Sequence, residues 1–180
     1  MVKSKAIFFD RDGVVNFRIR GNYVKTIEEM CILEDFIELF KYIKMNNYLA
    51  ILITNQQGIG KGLMTLDELN IVHNYIQEKM LKKTGFEFDD IFICPDLAET
   101  NSYHRKPNPG MILDAIAKWN LEPKECWMIG DRKSDVVAGK RAAVNTILIG
   151  NYNISEVAEA DHIFLNLYQT KEFFEKIIRI

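Results

Sequence analysis

Lys5-Ala6-Ile7-Phe8-Phe9-Asp10-Arg11-Asp12-Gly13 passes from an apolar run to a pair of carboxylates and then to a glycine. A short unbroken apolar run of this kind is what a strand buried on both faces looks like. Asp10 ends the run, and Asp12 follows two residues on. Gly13 permits a sharp turn and a close approach of backbone to a ligand. Two acids so close repel each other unless a cation or a shared proton lies between them. A hard divalent cation such as Mg²⁺, held by few carboxylates together with waters and a phosphate oxygen, resolves that repulsion. Solvated acids on a plain turn are the other reading, and the apolar run before them argues against it.

Working outward, five more stretches read as strands: residues 48–55 (YLAILITN), 91–94, 126–131 (CWMIGD), 145–149 (NTILI) and 162–165. Helical patterns lie between them, over residues 35–45, 65–83, 111–119, 133–143 and 168–178. Phe36, Leu39, Phe40 and Ile43 recur at helical spacing. Thr65 and Glu68 have the spacing of a capping box. Asn108-Pro109 reads as an N-cap followed by proline at the first helical position. Strands alternating with helices predict an α/β fold of three layers, Rossmann-like, with a mostly parallel central sheet covered on both faces. In such sheets ligands sit beyond the carboxyl ends of the strands. The polar residues at those ends are Asp10, Thr54-Asn55 and Asp131.

Three further clusters matter. Asp131 is followed four residues later by Asp135, which would face it across one helical turn; taken alone, an N-cap acid and a surface acid explain the pair as well. Thr54-Asn55-Gln56 offers a hydroxyl, an amide and loop N–H groups suited to an oxyanion, or else is a polar turn. Arg105-Lys106 could neutralise phosphate charge, although an isolated basic pair more often is a solvated loop. The weight lies in the combination, because three of the four clusters end strands of one sheet.

The chain has 180 residues, which predicts one domain over residues 1–180. Its formal net charge of -2 offers no basic surface, so a nucleic-acid partner is not expected. Cys31, Cys94 and Cys126 are sparse and unpaired in spacing, which speaks against a secreted disulfide scaffold. No apolar run approaches the roughly 18 residues that span a membrane. Asp10 interrupts any signal-peptide core almost at once. A cytoplasmic protein without a membrane partner is expected.

The four clusters, in this order, resemble the motifs of the haloacid dehalogenase (HAD) superfamily of phosphatases: Asp10-Arg11-Asp12-Gly13-Val14-Val15-Asn16, Thr54-Asn55-Gln56, Lys106, and Gly130-Asp131 with Asp135. The stretches TNQQGIGKG (residues 54–62), Asn22-Tyr23-Val24, Arg105-Lys106-Pro107 and GDRKSD are similar to the subgroup that holds histidinol-phosphate and heptose-bisphosphate phosphatases. The resemblance implies a HAD-like fold and a Mg²⁺-dependent phosphomonoester hydrolase. Asp10 would be the nucleophile that carries the phosphoryl group, and Asp12 the general acid and base. Mg²⁺ would be held by Asp10, the Asp12 backbone carbonyl and Asp131. Thr54, Asn55 and Gln56 would bind the transferring group, Lys106 would balance charge, and Arg105 and Arg132 would meet the substrate.

Many members of the subgroup carry a zinc loop before the Arg-Lys-Pro. Here that segment reads Cys94-Pro95-Asp96…Ser102-Tyr103-His104, and only Cys94 keeps its ligand type. No structural zinc is expected. The chain between motifs leaves no room for a large cap domain. A monomer acting on a sugar phosphate is expected, by resemblance a heptose 1,7-bisphosphate cleaved at carbon 7 in nucleotide-heptose and surface-polysaccharide biosynthesis. Histidinol phosphate and a nucleic-acid 3′-phosphate are the alternatives.

Overall fold

The computed structural model describes residues 4–153, 155 and 157–178. Its sheet has six parallel strands in the order β3-β2-β1-β4-β5-β6. They are β1 (Ala6–Phe9), β2 (Leu49–Asn55), β3 (Asp90–Cys94), β4 (Trp127–Gly130), β5 (Asn145–Ile149) and β6 (His162–Phe164). Each of the six apolar stretches is thus a strand. The helices are α1 (Glu34–Met45), a single turn α2 (Gln57–Gly60), α3 (Leu66–Thr84), α4 (Gly110–Trp119), α5 (Lys133–Arg141) and α6 (Leu167–Ile177).

Alternation along the strands divides the core in two. Ile7 and Phe9 of β1, with Ala50 and Leu52 of β2, face α1, α3 and α6. Ala6 and Phe8, with Ile51 and Ile53, face α4 and α5. All four residues of β1 are buried, which explains why its sequence shows no polar alternation. On the first face four aromatic rings interlock. Phe9 meets Phe36 edge-on at 5.3 Å, and Phe88 stacks on Phe36 at 6.0 Å and lies 4.9 Å from Phe40.

β1 pairs with β2 on one side and β4 on the other. The chain leaves β1 for β2 and β3, then crosses back to β4, so its direction of winding reverses between β1 and β4. That switch point opens a crevice at the carboxyl ends of these two strands. Asp10 and Asp131 directly follow them. Among the described residues, the connection from β1 to α1 holds no helix or strand, and that from β2 to α3 holds only α2. The crevice is therefore covered by loops and not by a cap.

The capping box of α3 forms as expected, with Thr65 accepting from the Glu68 backbone N–H and Glu68 from that of Thr65. The start of α4 differs from expectation. Pro109, not Asn108, holds the N-cap position, without a side-chain cap. Asn108 instead donates to the Ser102 carbonyl and accepts from Arg141, tying two loops together. Helix α5 ends at Arg141, two residues early, because Ala143 takes a left-handed φ of 59°.

Phe36 is fully buried at the centre of the aromatic cluster. Phe36→Ala is expected to lower unfolding free energy by about 3–5 kcal/mol in urea titration. A loss under about 1 kcal/mol would mean that the site collapses around the deletion at little cost.

Candidate active site

Asp10 leaves β1 with its N–H donating to the Ile129 carbonyl of β4 at 2.9 Å, which locks the strand end to its neighbour. Its Oδ1 accepts from Lys106 Nζ at 2.8 Å. Lys106 arrives from the segment before α4, and the Asn55 side chain clamps its backbone at both N–H and C=O. Its ammonium also donates to the Ile53 carbonyl at 2.7 Å and pairs with Asp135 at 2.7 Å. One buried cation thus joins the ends of β1 and β2 and the start of α5. Burial alone would pull the Lys106 pKa down, but Asp10 and Asp135 outweigh it and raise it, so the ammonium stays charged. Burial pushes the Asp10 carboxyl up against the pull of Lys106.

Asp12 points its carboxylate the other way. Arg11, fully buried, grips it through Nη2 at 2.8 and 2.9 Å, and Asn16 and Gln56 donate to it at 3.1 and 3.2 Å. Burial would raise the Asp12 pKa, but Arg11 and these hydrogen bonds reverse it, so the group sits below the usual carboxylate range. Gln56 also donates to Thr54 Oγ1 at 2.9 Å. Gln56, held by Thr54, therefore positions Asp12, and Asn55 positions Lys106; of the three only Asn55 lines the crevice, since Thr54 and Gln56, expected to bind the transferring group, are buried.

Asp131 follows β4. It approaches Gly13 so closely that a Cβ there would lie 2.1 Å from Asp131 Oδ2, and Gly13 adopts a φ of +98°. Gly130 makes similar room for Asp135, whose atoms would lie 2.2 Å from an added Cβ. Asp135 also caps α5 by accepting from the Arg132 N–H at 3.0 Å. Carboxylate oxygens of Asp10, Asp131 and Asp135 lie within 4.8 Å of one another. Burial raises the Asp131 pKa, partly countered by Arg18.

Arg18 is the residue that sequence reasoning missed. Its Nη2 donates to Asp131 Oδ1 at 2.5 Å, to Asp10 Oδ2 at 3.4 Å and to the Asp12 carbonyl. These are three hard oxygens converging on one cation. The donor set suits a divalent ion of the Mg²⁺ kind, and the guanidinium shows that the position favours positive charge. The expected metal group included Asp10, Asp131 and the Asp12 carbonyl. Asp135, whose spacing from Asp131 had left its role open, joins the carboxylate cluster as well.

The crevice that holds this centre has a volume of about 660 Å³. Arg18, Arg20, Lys61, Arg105, Lys106 and Arg132 line it, against Asp10, Asp12 and Asp135. Arg105 is held by the Asp96 carbonyl at 2.8 Å and by Gln57 at 3.2 Å, whereas Arg132 is exposed. Of the residues around the expected zinc loop, Cys94 Sγ lies 3.6 Å from Asp96, and His104 pairs with Asp114 at 2.8 Å. No helix among the described residues is long and apolar enough to cross a membrane.

The HAD-hydrolase-like family model matches residues 103–170. A D-glycero-beta-D-manno-heptose-1,7-bisphosphate 7-phosphatase from Helicobacter pylori is 39% identical over 84% of this chain and 87% of its own length. A D-glycero-alpha-D-manno-heptose-1,7-bisphosphate 7-phosphatase from Burkholderia mallei is 37% identical over 88% and 87%. Among solved structures, the D,D-heptose 1,7-bisphosphate phosphatase of B. bronchiseptica, complexed with magnesium and phosphate, superimposes with a TM-score of 0.85. It is 25% identical and covers 97% of this chain and 99% of its own.

Behind Arg11 lies His73, buried, with Nε2 3.5 Å from the guanidinium. Burial, then the Arg11 charge, depress its pKa to about 3. The unfolded chain therefore takes up this proton at higher pH than the folded one. The stability contributed by neutral His73 is complete above about pH 6.5 and falls by about 1.4 kcal/mol per pH unit on acidification below it. Between pH 7 and 4.5, the unfolding free energy of wild type relative to His73→Gln is expected to fall by about 2–3 kcal/mol. A difference that stays constant over that range would show that His73 is protonated equally in both states.

Proposed function

We propose that this chain, which belongs to the family of the heptose-1,7-bisphosphate 7-phosphatases among the HAD-like hydrolases, removes the 7-phosphate of a D-glycero-D-manno-heptose 1,7-bisphosphate. It is a phosphatase, and its buried acidic cluster fits Mg²⁺ dependence. What carries the reading is Asp10, clamped by Lys106 at the floor of a cleft whose rim is cationic.

Asp10 attacks phosphorus, and the P–O bond to the sugar breaks. The departing C7 oxygen takes a proton from Asp12, leaving an aspartyl-phosphate on Asp10. Asp12 then accepts a proton from water as that water attacks phosphorus, which frees phosphate and restores Asp10. The low Asp12 pKa suits the second half, in which it acts as base; the first half requires a proton taken up on its carboxyl beforehand. Lys106 balances the charge of Asp10 and the phosphoryl oxygens. The Asp10 carboxylate, Asp12 carbonyl and Asp131 would hold Mg²⁺, which supplies positive charge to the phosphoryl oxygens when bound.

Phosphoryl transfer asks for positioning and charge more than for covalent chemistry. Arg20, Lys61, Arg105 and Arg132 at the rim are available for the second phosphate. A bidentate arginine contact favours a bisphosphate over a monophosphate by roughly ten- to a hundred-fold. The two relatives differ in the anomer they are named for.

We also infer that the segment around Cys94 holds no zinc. Of the residues in this segment only Cys94 keeps the expected ligand type, and His104 is engaged by Asp114 at 2.8 Å. Elemental analysis is expected to find well under one zinc per chain; a stoichiometric, tightly held zinc would overturn this.

Asp10→Asn is expected to lower the maximal rate by several orders of magnitude with the fold intact. Chelation by EDTA is expected to abolish phosphate release. Comparing kcat/KM for heptose 1,7-bisphosphate, the 7-monophosphate and histidinol phosphate tests the substrate. The bisphosphate should lead by roughly ten-fold or more. Preference for histidinol phosphate would keep the reaction and replace the substrate, whereas near-normal turnover by Asp10→Asn would remove the nucleophile.

A further inference from the structure

The charges at the centre are unequal in a way that singles out Arg18. Asp10, Asp12, Asp131 and Asp135 bring four formal negative charges, and Arg11, Lys106 and Arg18 bring three positive ones. Arg11 is committed to Asp12 and cannot leave, being fully buried. Lys106 is likewise enclosed between Asp10 and Asp135. Arg18 differs from both. Its side chain is 26% exposed and enters the centre from the cleft side.

Its placement is built in. Phe17 N–H donates to the Cys31 carbonyl at 2.9 Å, and Leu33 N–H to the Val15 carbonyl at 3.0 Å. This short antiparallel ladder pins both ends of the loop, and Arg18 is the first residue beyond it. The loop continues through Ile19, Arg20, Gly21, Asn22 and Tyr23, which line the cleft. From there the guanidinium makes a two-point contact with Asp131, through Nε at 3.0 Å and Nη2 at 2.5 Å. Nη2 also reaches Asp10 and the Asp12 carbonyl.

We propose that Arg18 is a tethered counter-ion that competes with Mg²⁺ for the Asp10–Asp12–Asp131 oxygens, and that metal binding displaces its guanidinium into the cleft, where it binds the substrate phosphate. The inference rests on the Mg²⁺ reading above. A divalent ion and the guanidinium cannot share those oxygens, since Nη2 lies among all three. Exchange of one for the other brings the centre from one net negative charge to neutrality. It also leaves the Arg18 charge on a short tether beside the position of the transferring phosphoryl group. Before metal arrives, the same guanidinium restrains the mutual repulsion of Asp10 and Asp131.

Occupancy of the oxygens by Arg18 reduces the metal-competent fraction of the protein, and the apparent Mg²⁺ affinity falls by that fraction. If Arg18 holds the site about 90–99% of the time, the apparent dissociation constant is raised roughly ten- to a hundred-fold. The test is calorimetric titration of Mg²⁺ into wild type, Arg18→Gln and Arg18→Lys, followed by titration of inorganic phosphate into each Mg²⁺-loaded protein. Arg18→Gln is expected to bind Mg²⁺ at least about ten-fold more tightly than wild type and then to bind phosphate more weakly. Arg18→Lys, which keeps the charge and loses the two-point grip, should fall between them in Mg²⁺ affinity. In EDTA, Arg18→Gln should melt below wild type, and saturating Mg²⁺ should close the gap. Equal or weaker Mg²⁺ binding by Arg18→Gln overturns the competition. Unchanged phosphate binding overturns the transfer of Arg18 to the substrate. Absence of Mg²⁺ binding in all three proteins overturns both this inference and the metal reading beneath it.

Discussion

The gathering of carboxylates at the carboxyl ends of two adjacent parallel strands is the constraint to which the rest of the structure answers. β1 and β4 are hydrogen-bonded neighbours, and an aspartate follows each. A buried carboxylate without a partner is strongly destabilising, and an ion pair offsets its desolvation only with good geometry and further hydrogen bonds. Lys106 meets that condition. It touches Asp10, Asp135 and the Ile53 carbonyl, and Asn55 holds its backbone in place. Arg11 meets it for Asp12 in the same way, with Asn16 and Gln56 completing the set.

Crowding of this kind needs space as well as charge. Gly13 and Gly130 provide it, because a methyl group at either would overlap Asp131 or Asp135. Gly13 was legible as a turn residue, yet its closer constraint, like that of Gly130, is the carboxylate packed against it. The rigid sheet then carries a loop-built cleft, as is usual where chemistry is positioned by a scaffold. Nothing resembling a separate cap closes it among the described residues, and cations on several loops line its rim.

Family and fold together place this chain among the HAD-like phosphatases. The relatives it resembles are named for both anomers of the same bisphosphate. Arg18 adds a guanidinium standing among the oxygens that suit a divalent ion.

The sequence by itself determined the strands, the helices between them and the acids at the strand ends. These are local properties: apolar runs, helical periodicity and a breaking residue are all read within a few neighbouring positions. It also held the motif order that carried the family. The tertiary structure alone decided the order of strands in the sheet, and with it which ends become neighbours. It decided that Arg11 turns inward although arginine is rarely buried, that Asn108 ties loops instead of capping a helix, and that Asp135 joins Asp131. Arg18 meets Asp131 across 113 residues of chain, and Lys106 meets Asp10 across 96. Charge pairing over such separations leaves no periodic trace in the sequence, because it depends on where the folded backbone brings each side chain and not on the residues beside it.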